Sequence, residues 1–295
     1  MEKQDQIEKY FAYDKKVLIT CADTTNLVEK ARQVHDLSPT VTAAFGRLLT
    51  MTELMAANDE KTHKLTIQVK GNGPIGTMLT TMNHFPEVKG YITNPLVELP
   101  VTQEGKIDVA GAVGKQGYLN VIKDIGLKEP YIGMTPIVSG ELAEDFANYY
   151  VISEQKPSAV ALGVLVSKEG VKRSGGYLIT PMPDAKEEEI SKIESHIFQA
   201  GAISKMLETG LSLQEIVRRV TGDEKIQKLG ESIFPSYHCD CSKKIMEQAL
   251  VSIGKEELEQ MIEEEQKAEL VCHFCHKKYF FSKSELENLL ENTKK

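Results

Sequence analysis

The chain of 295 residues contains no tryptophan, so any aromatic stacking platform would rest on its 10 tyrosines and 9 phenylalanines. No apolar run approaches the ~18–20 residues of a membrane-crossing helix, which excludes a helical membrane span. The first residues, Met1-Glu2-Lys3-Gln4-Asp5-Gln6, offer neither a basic n-region nor an apolar h-region. No secretory signal is therefore expected, and the expected compartment is the cytoplasm. Positive charge is in deficit. The 35 Lys and Arg against 43 Asp and Glu leave a net charge of −8, which argues against a nucleic acid or an anionic membrane held by bulk charge. Internal repeats and low-complexity tracts are also missing. What remains is 41% hydrophobic and 26% charged, the composition of a soluble globular chain with one large domain or two to three small ones.

Five cysteines are present, and their placement is lopsided. Cys21 stands alone, and its simplest reading is a small buried residue at a strand end. Cys239, Cys241, Cys272 and Cys275 crowd the C-terminal end as C-x-C, a 30-residue gap, and C-x-x-C. In a reducing compartment such a cluster is a metal site more often than a disulfide framework. Four thiolates complete the tetrahedral shell of one zinc ion. Cys272-His273-Phe274-Cys275 can bend into a knuckle with both sulfurs on one side, and the i, i+2 pair can chelate from an extended or turning segment. His238, His273 and His276 are expected beside the site and not in it. A terminal unit of about 60 residues rarely folds on its core alone, whereas zinc–thiolate binding contributes about 10–16 kcal/mol. Removing zinc should unfold it. As for disulfides, spacing alone leaves three connectivities open.

The patterning predicts an α+β fold. Residues 1–180 read as a strand-rich core domain, 181–232 as a helical linker, and 233–295 as a zinc-binding module. Strands are expected at Lys15–Thr20, Lys64–Lys70 (with Leu65, Ile67 and Val69 on the buried side), and around Gly76–Thr81, Gly90–Thr93, Ile107–Val113, Gly117–Lys123, Met134–Val138, Ala159–Val166 and Gly176–Thr180. Ser38-Pro39 marks a helix start, with Ser as N-cap and Pro at N1. Gly140–Tyr150 reads as a second helix. Beyond Pro181-Met182-Pro183, the residues Ile190, Ile193, Ile197, Ala200, Ile203 and Leu207 recur at helical spacing and form a face that must be buried on something. Ser212-Leu213-Gln214-Glu215 and Ser282-Lys283-Ser284-Glu285 are capping boxes. Ser242 opens a helix that ends at Gly254, and a hairpin is expected around the knuckle and Tyr279-Phe280-Phe281.

Two patterns point elsewhere and do not hold. Gly71-Asn72-Gly73-Pro74-Ile75-Gly76 matches G-x-G-x-x-G, but Thr77-Met78-Leu79-Thr80-Thr81 favours a strand where a dinucleotide site needs a helix, so a turn between strands is expected. A zinc deaminase would pair P-C-x-x-C with H-x-E, and neither half is present. The acidic run Glu263-Glu264-Glu265 between the ligand pairs would repel phosphate, which weakens a nucleic-acid zinc ribbon.

The motifs Cys239-Asp240-Cys241 and Cys272-His273-Phe274-Cys275 are joined by Gly71-Asn72-Gly73-Pro74, Gly140-Glu141-Leu142-Ala143-Glu144-Asp145, Tyr149-Tyr150, Ser153-Glu154-Gln155 with Pro157, and Gly175-Gly176-Tyr177-Leu178-Ile179. In these the chain resembles, along nearly its whole length, the redox-regulated heat-shock chaperone family, the bacterial thirty-three-kilodalton heat-shock proteins. The resemblance implies an ATP-independent holdase, not an enzyme, that binds unfolding client proteins under oxidative stress. It implies one zinc ion in the reduced, inactive form. It further implies that oxidation joins Cys239 to Cys241 and Cys272 to Cys275, releases zinc, loosens the module and linker, and leads to client binding and a homodimer. No nucleic acid or membrane partner is implied. The alternatives are a zinc-dependent enzyme, opposed by the full thiolate shell and the lack of a nucleophile–base constellation, and a constitutive zinc-stabilised adaptor. Each cysteine pair is followed by a lysine pair, Lys243-Lys244 and Lys277-Lys278, which would stabilise the negative thiolate centre.

Overall fold

A computed structural model describes residues 4–59, 61–264 and 267–292. Its chain divides into two units, Met1–His238 and Cys239–Lys295.

Unit 1 opens with a hairpin of β1 (Gln6–Ala12) and β2 (Val17–Asp23), whose turn carries Tyr13, Asp14 and Lys15 at positive φ. The helices α1 (Thr25–His35) and α2 (Pro39–Asn58) follow. α2 is the centre of the main core, burying Val41, Phe45, Leu48, Leu49, Met51 and Leu54. Pro39 takes N1 and Ser38 the N-cap position, but the Ser38 hydroxyl donates to Val97 O at 2.6 Å and does not cap the helix. Next come β3 (Lys64–Gly71), β4 (Thr77–His84) and β5 (Glu87–Ile92), an antiparallel meander in which Leu65, Ile67 and Val69 are buried as their alternation predicts.

The glycine-rich segment between β3 and β4 is a turn. A Cβ on Gly71 would stand 1.9 Å from Val113 O, and one on Gly73 would stand 2.3 Å from Ala112 O. These glycines therefore serve close backbone approach and not a phosphate. The carbonyls they approach belong to α3 (Val109–Val113), where a strand was expected over Ile107–Val113. The Asp108 carboxylate accepts the Gly111 N–H at 2.7 Å and caps a helical turn there. Val113 O and Ala112 O then accept from Gly73 and Ile75, which occupies groups a strand ladder would need.

The rest of unit 1 comprises β6 (Gly117–Asp124), β7 (Tyr131–Pro136), α4 (Leu142–Ile152), β8 (Ala159–Ser167), β9 (Gly170–Pro181), α5 (Glu187–Ala200), α6 (Ile203–Glu208), α7 (Leu213–Thr221), β10 (Gln227–Ile233) and β11 (Ser236–Tyr237). The expected apolar face from Ile190 to Leu207 is real but not continuous, because Gly201 at φ +77° separates α5 from α6. The Ser212 capping box closes in both directions, with Ser212 N–H on Glu215 Oε2 at 2.7 Å and Glu215 N–H on Ser212 Oγ at 3.3 Å.

Two sheets result, one ordered β10-β1-β2-β9-β8 and the other β11-β5-β4-β3-β6-β7. The first sheet is apolar on both faces. Ile7, Ala22 and Leu178 point into the main core with α1 and α2. Tyr10, Val17, Ile19, Cys21, Tyr177 and Ile179 point the other way and are covered by Ile193, Ile203, Leu207, Ile216, Val217 and Val220 of α5–α7. α6 lies close on this face because Gly163 and Gly175 face each other across β8 and β9. A Cβ on Gly163 would stand 3.1 Å from Ile203 Cγ2 and from Ser204 N, and one on Gly175 would stand 2.6 Å from Leu207 Cδ1. Polar ties fasten the helical layer to the β1–β2 turn. Lys16 Nζ pairs with Glu189 Oε1 at 2.8 Å, Tyr13 N–H donates to Asp223 Oδ2 at 2.7 Å, and Tyr13 OH donates to Thr221 O at 2.5 Å.

Unit 2 comprises α8 (Lys243–Ser252), α9 (Lys255–Glu264), the antiparallel pair β12 (Lys267–Val271) and β13 (Lys278–Ser282), and α10 (Lys283–Asn292). Ser242 accepts from the Ile245 N–H and starts α8, and Glu285 accepts the Ser282 N–H at 2.8 Å at the start of α10. Its buried core is small, made of Leu250, Leu258, Ile262, Ala268, Cys272, Tyr279, Phe281 and Leu286. Glu265 of the acidic run lies outside the described residues. Among the described residues, no helix is long and apolar enough to cross a membrane.

Candidate metal centre

The β12–β13 hairpin brings Cys272 and Cys275 to its tip. Cys272 N–H donates to Lys277 O at 3.0 Å, and His276 N–H donates to Cys272 O at 2.8 Å. His276 adopts φ +58° to allow this. These two backbone bonds close the knuckle and aim both sulfurs to one side. Cys239 and Cys241 arrive from the segment before α8. Cys239 Sγ lies 3.7 Å from Cys272 Sγ, Cys241 Sγ lies 3.3 Å from Cys275 Sγ, and all four sulfurs lie within 4.8 Å of one another. A tetrahedron of sulfurs about 2.3 Å from a central ion has edges of about 3.8 Å. The spacing therefore fits a four-thiolate shell, and the cluster can hold a metal ion.

Cys239, Cys241 and Cys275 differ in how firmly they hold their protons. Burial pushes the Cys239 and Cys275 thiols up. Burial works against the Cys241 thiolate as well, yet hydrogen bonds from Tyr279 and the other thiols hold Cys241 below the usual thiol range. A divalent cation at the centre would favour thiolates at all four positions.

Sequence reading missed Tyr279. Its hydroxyl lies 3.0 Å from Cys241 O and 3.2 Å from Cys241 Sγ, so it donates to a would-be ligand and orients it. A tyrosine four residues beyond Cys275 carries no sequence signal of this. Only the return of β13 past the C-x-C segment supplies it. Two of the four flanking lysines are engaged by carboxylates: Lys243 with Glu285 at 2.5 Å and Lys278 with Glu269 at 2.7 Å. Lys243 and Lys277 also lie over the rings of Phe281 and Tyr279, at 5.0 and 5.3 Å. His238 Nε2 lies 4.0 Å from Glu87 Oε2. Cys21 is fully buried in β2, and burial pushes its thiol up, which makes it inert.

Fold and site together define an α+β protein whose small second unit gathers four cysteines able to hold a metal ion. The Hsp33 protein family matches residues 5–282. The chain is 46% identical over 290 residues to the 33 kDa chaperonin of Caldanaerobacter subterraneus subsp. tengcongensis, covering 97% of this chain and 98% of that one. It is 45% identical to the 33 kDa chaperonin of Bacillus cereus strain G9842, covering 98% and 99%. The crystal structure of the 33 kDa chaperonin of Thermotoga maritima superposes with a TM-score of 0.89 at 38% identity, covering 98% and 99%. The chain belongs to the Hsp33 protein family. That membership supports a redox-regulated chaperone role, which is a binding function and not an enzymatic one.

Proposed function

We propose that this protein is an ATP-independent holdase, held inactive by one zinc ion on Cys239, Cys241, Cys272 and Cys275 and switched on when these cysteines are oxidised. Zinc, when bound, holds four sulfurs as thiolates and supplies the folding energy that the small core of unit 2 lacks. In each pair one thiolate attacks peroxide, giving a sulfenic acid and hydroxide. The second thiolate attacks that sulfur, forms the disulfide and expels another hydroxide. Two electrons pass from each pair to the peroxide, and two protons from the buffered solvent convert the two hydroxides to water. The pairs are Cys239 with Cys241 and Cys272 with Cys275. A disulfide sulfur is a poor ligand, so each oxidised pair removes two ligands and unit 2 unfolds.

Residues 181–232 serve as the movable layer, between a core domain (1–180) and the switch module (233–295). The observation that carries the reading is the second apolar face of the first sheet, where Tyr10, Val17, Ile19, Tyr177 and Ile179 are buried beneath α5–α7. Loosening that layer exposes a continuous apolar surface together with the apolar faces of the helices, which is what an unfolding client binds. The oxidised protein pairs with a second copy through the same exposed surface.

The test follows aggregation of a thermally unfolding client together with zinc release. Reduced zinc-loaded protein should leave aggregation unchanged, and peroxide-treated protein should suppress it at the client's unfolding temperature, and only after zinc has left. Zinc loss without suppression would sink the holdase reading and leave a structural metal site.

A further inference from the structure

Two residues before Cys239, the chain is fastened to the body of unit 1 by one side chain. β11 pairs parallel with β5, Ser236 opposite Glu87 and Tyr237 opposite Val88. Ser236 N–H donates to Pro86 O at 3.1 Å, and His238 N–H donates to Val88 O at 3.0 Å. Two residues of parallel ladder are a weak hold by themselves. The Tyr237 side chain adds the rest. Its hydroxyl donates to Gly90 O at 2.9 Å and accepts from Gly90 N–H at 3.3 Å. His35 Nε2 lies 2.7 Å from the same oxygen. With the hydroxyl proton on Gly90 O, His35 must be the donor, from Nε2.

His35 is buried in the last turn of α1, its ring edge-on to both Phe45 of α2 and Tyr237, with centroids 6.0 Å apart in each case. The position opposite must be glycine, since a Cβ on Gly90 would stand 2.8 Å from Phe45 Cζ. One tyrosine thus ties the segment leading into the cysteine module to α1, to β5 and, through His35, to the central helix.

We propose that Tyr237 is a stop that confines unfolding of unit 2, so that β10, β11 and the layer α5–α7 keep their packing until the pin itself is released. The inference rests on the redox reading above. Without the pin, a chain that unravels from Cys239 has only the short β11 ladder before it reaches β10, which is the edge strand of the sheet that α5–α7 cover. Releasing β10 frees the end of the segment that follows α7. The pin therefore sets how far module unfolding spreads, and so whether loss of zinc alone is enough to open the layer.

The test is hydrogen exchange on the full-length reduced protein before and after zinc is stripped with a chelator, in the parent and in Tyr237→Phe. In the parent, stripping should release 239–292 while 227–238 and 187–221 stay protected. In Tyr237→Phe, stripping should also raise exchange in 227–238 by about tenfold or more, followed by 187–221, with β3 and β6 unchanged. His35→Leu removes the other partner and should do the same, which keeps the test standing if one variant folds poorly. Equal protection of 227–238 in parent and variants after release of 239–292 overturns the inference alone. Parent protein that loses 227–238 together with the module overturns it too. If 239–292 stays protected without zinc in every protein, the redox reading falls and takes the inference with it.

Discussion

Gly163 offers the most direct perturbation of the helical layer. It is buried, unlike its half-buried neighbours along β8, and the space where its side chain would lie is taken by Ile203 Cγ2, Ser204 N and Ser204 Oγ, all at 3.1 Å from an added Cβ. A single methyl group is already tight there. Gly163→Val adds two further methyls on a strand held by its pairing with β9 and, on its other face, by Val160, Leu162 and Val164 packed against the main core. The strain must be relieved by moving α6. Overpacking of this kind costs about 1–3 kcal/mol, and about 2 kcal/mol multiplies the fraction of molecules with the layer open by about thirtyfold. The four cysteines lie in the other unit, so the variant should retain zinc as the parent does. The variant should therefore suppress client aggregation while reduced and zinc-loaded, where the parent does not, and exchange over 187–221 should rise in the same sample. If exchange shows the layer open and the reduced variant still fails to hold clients, the face beneath α5–α7 is not the client surface.

Three further outcomes are expected. Cys275→Ser leaves three thiolates, so zinc retention should be lost and unit 2 should show the exchange of an unfolded chain in the absence of oxidant. Tyr279→Phe removes the hydroxyl that orients Cys241, and chelator competition should show zinc held about tenfold more weakly, with the hairpin still folded. The third outcome concerns pH. Burial pushes the Asp5 carboxyl up to about 7, against two donated N–H groups from Asn26 and Leu27 and with Asp23 adding to the rise. Glu53, buried in α2, is likewise pushed well above the usual range, first by burial and then by Asp5. An acid raised in the folded state stabilises while protonated. Its contribution is complete below the unfolded value near 3.8 and is lost as pH climbs to about 7, for Asp5 about 4 kcal/mol in all. Urea midpoints of unit 1 should thus fall from pH 5 to pH 7, and Glu53→Gln should flatten that fall. An unchanged slope in the variant would remove Glu53 as its source.

Much of this protein can be read without coordinates where local chemistry decides. Four cysteines at C-x-C and C-x-x-C spacing announce a metal site because ligand geometry is a property of short segments. Alternation in Lys64–Lys70, the Ser212 capping box and the helix start at Ser38-Pro39 are local in the same sense, and each appears in the structure at its place. Reading failed where partners are distant in sequence. Ile107–Val113 is β-branched at its ends and looks like a strand, but an aspartate cap and the approach of Gly71 and Gly73 make it helical. β1 and β10 escaped notice because β1 is stabilised by strands on both sides and β10 is a largely exposed edge strand.

The residue types alone determined the chemistry of the switch: thiols in pairs close enough to chelate and to oxidise. Tertiary structure alone decided how the helical layer and the segment before the cysteines are held. That α5–α7 lie on a second apolar face of the first sheet follows from two glycines that meet only when β8 pairs with β9. That the chain is pinned just ahead of Cys239 follows from His35, Gly90 and Tyr237 meeting across about 200 residues. Contacts of that separation are chosen by the packing of the whole core, and no local pattern records them.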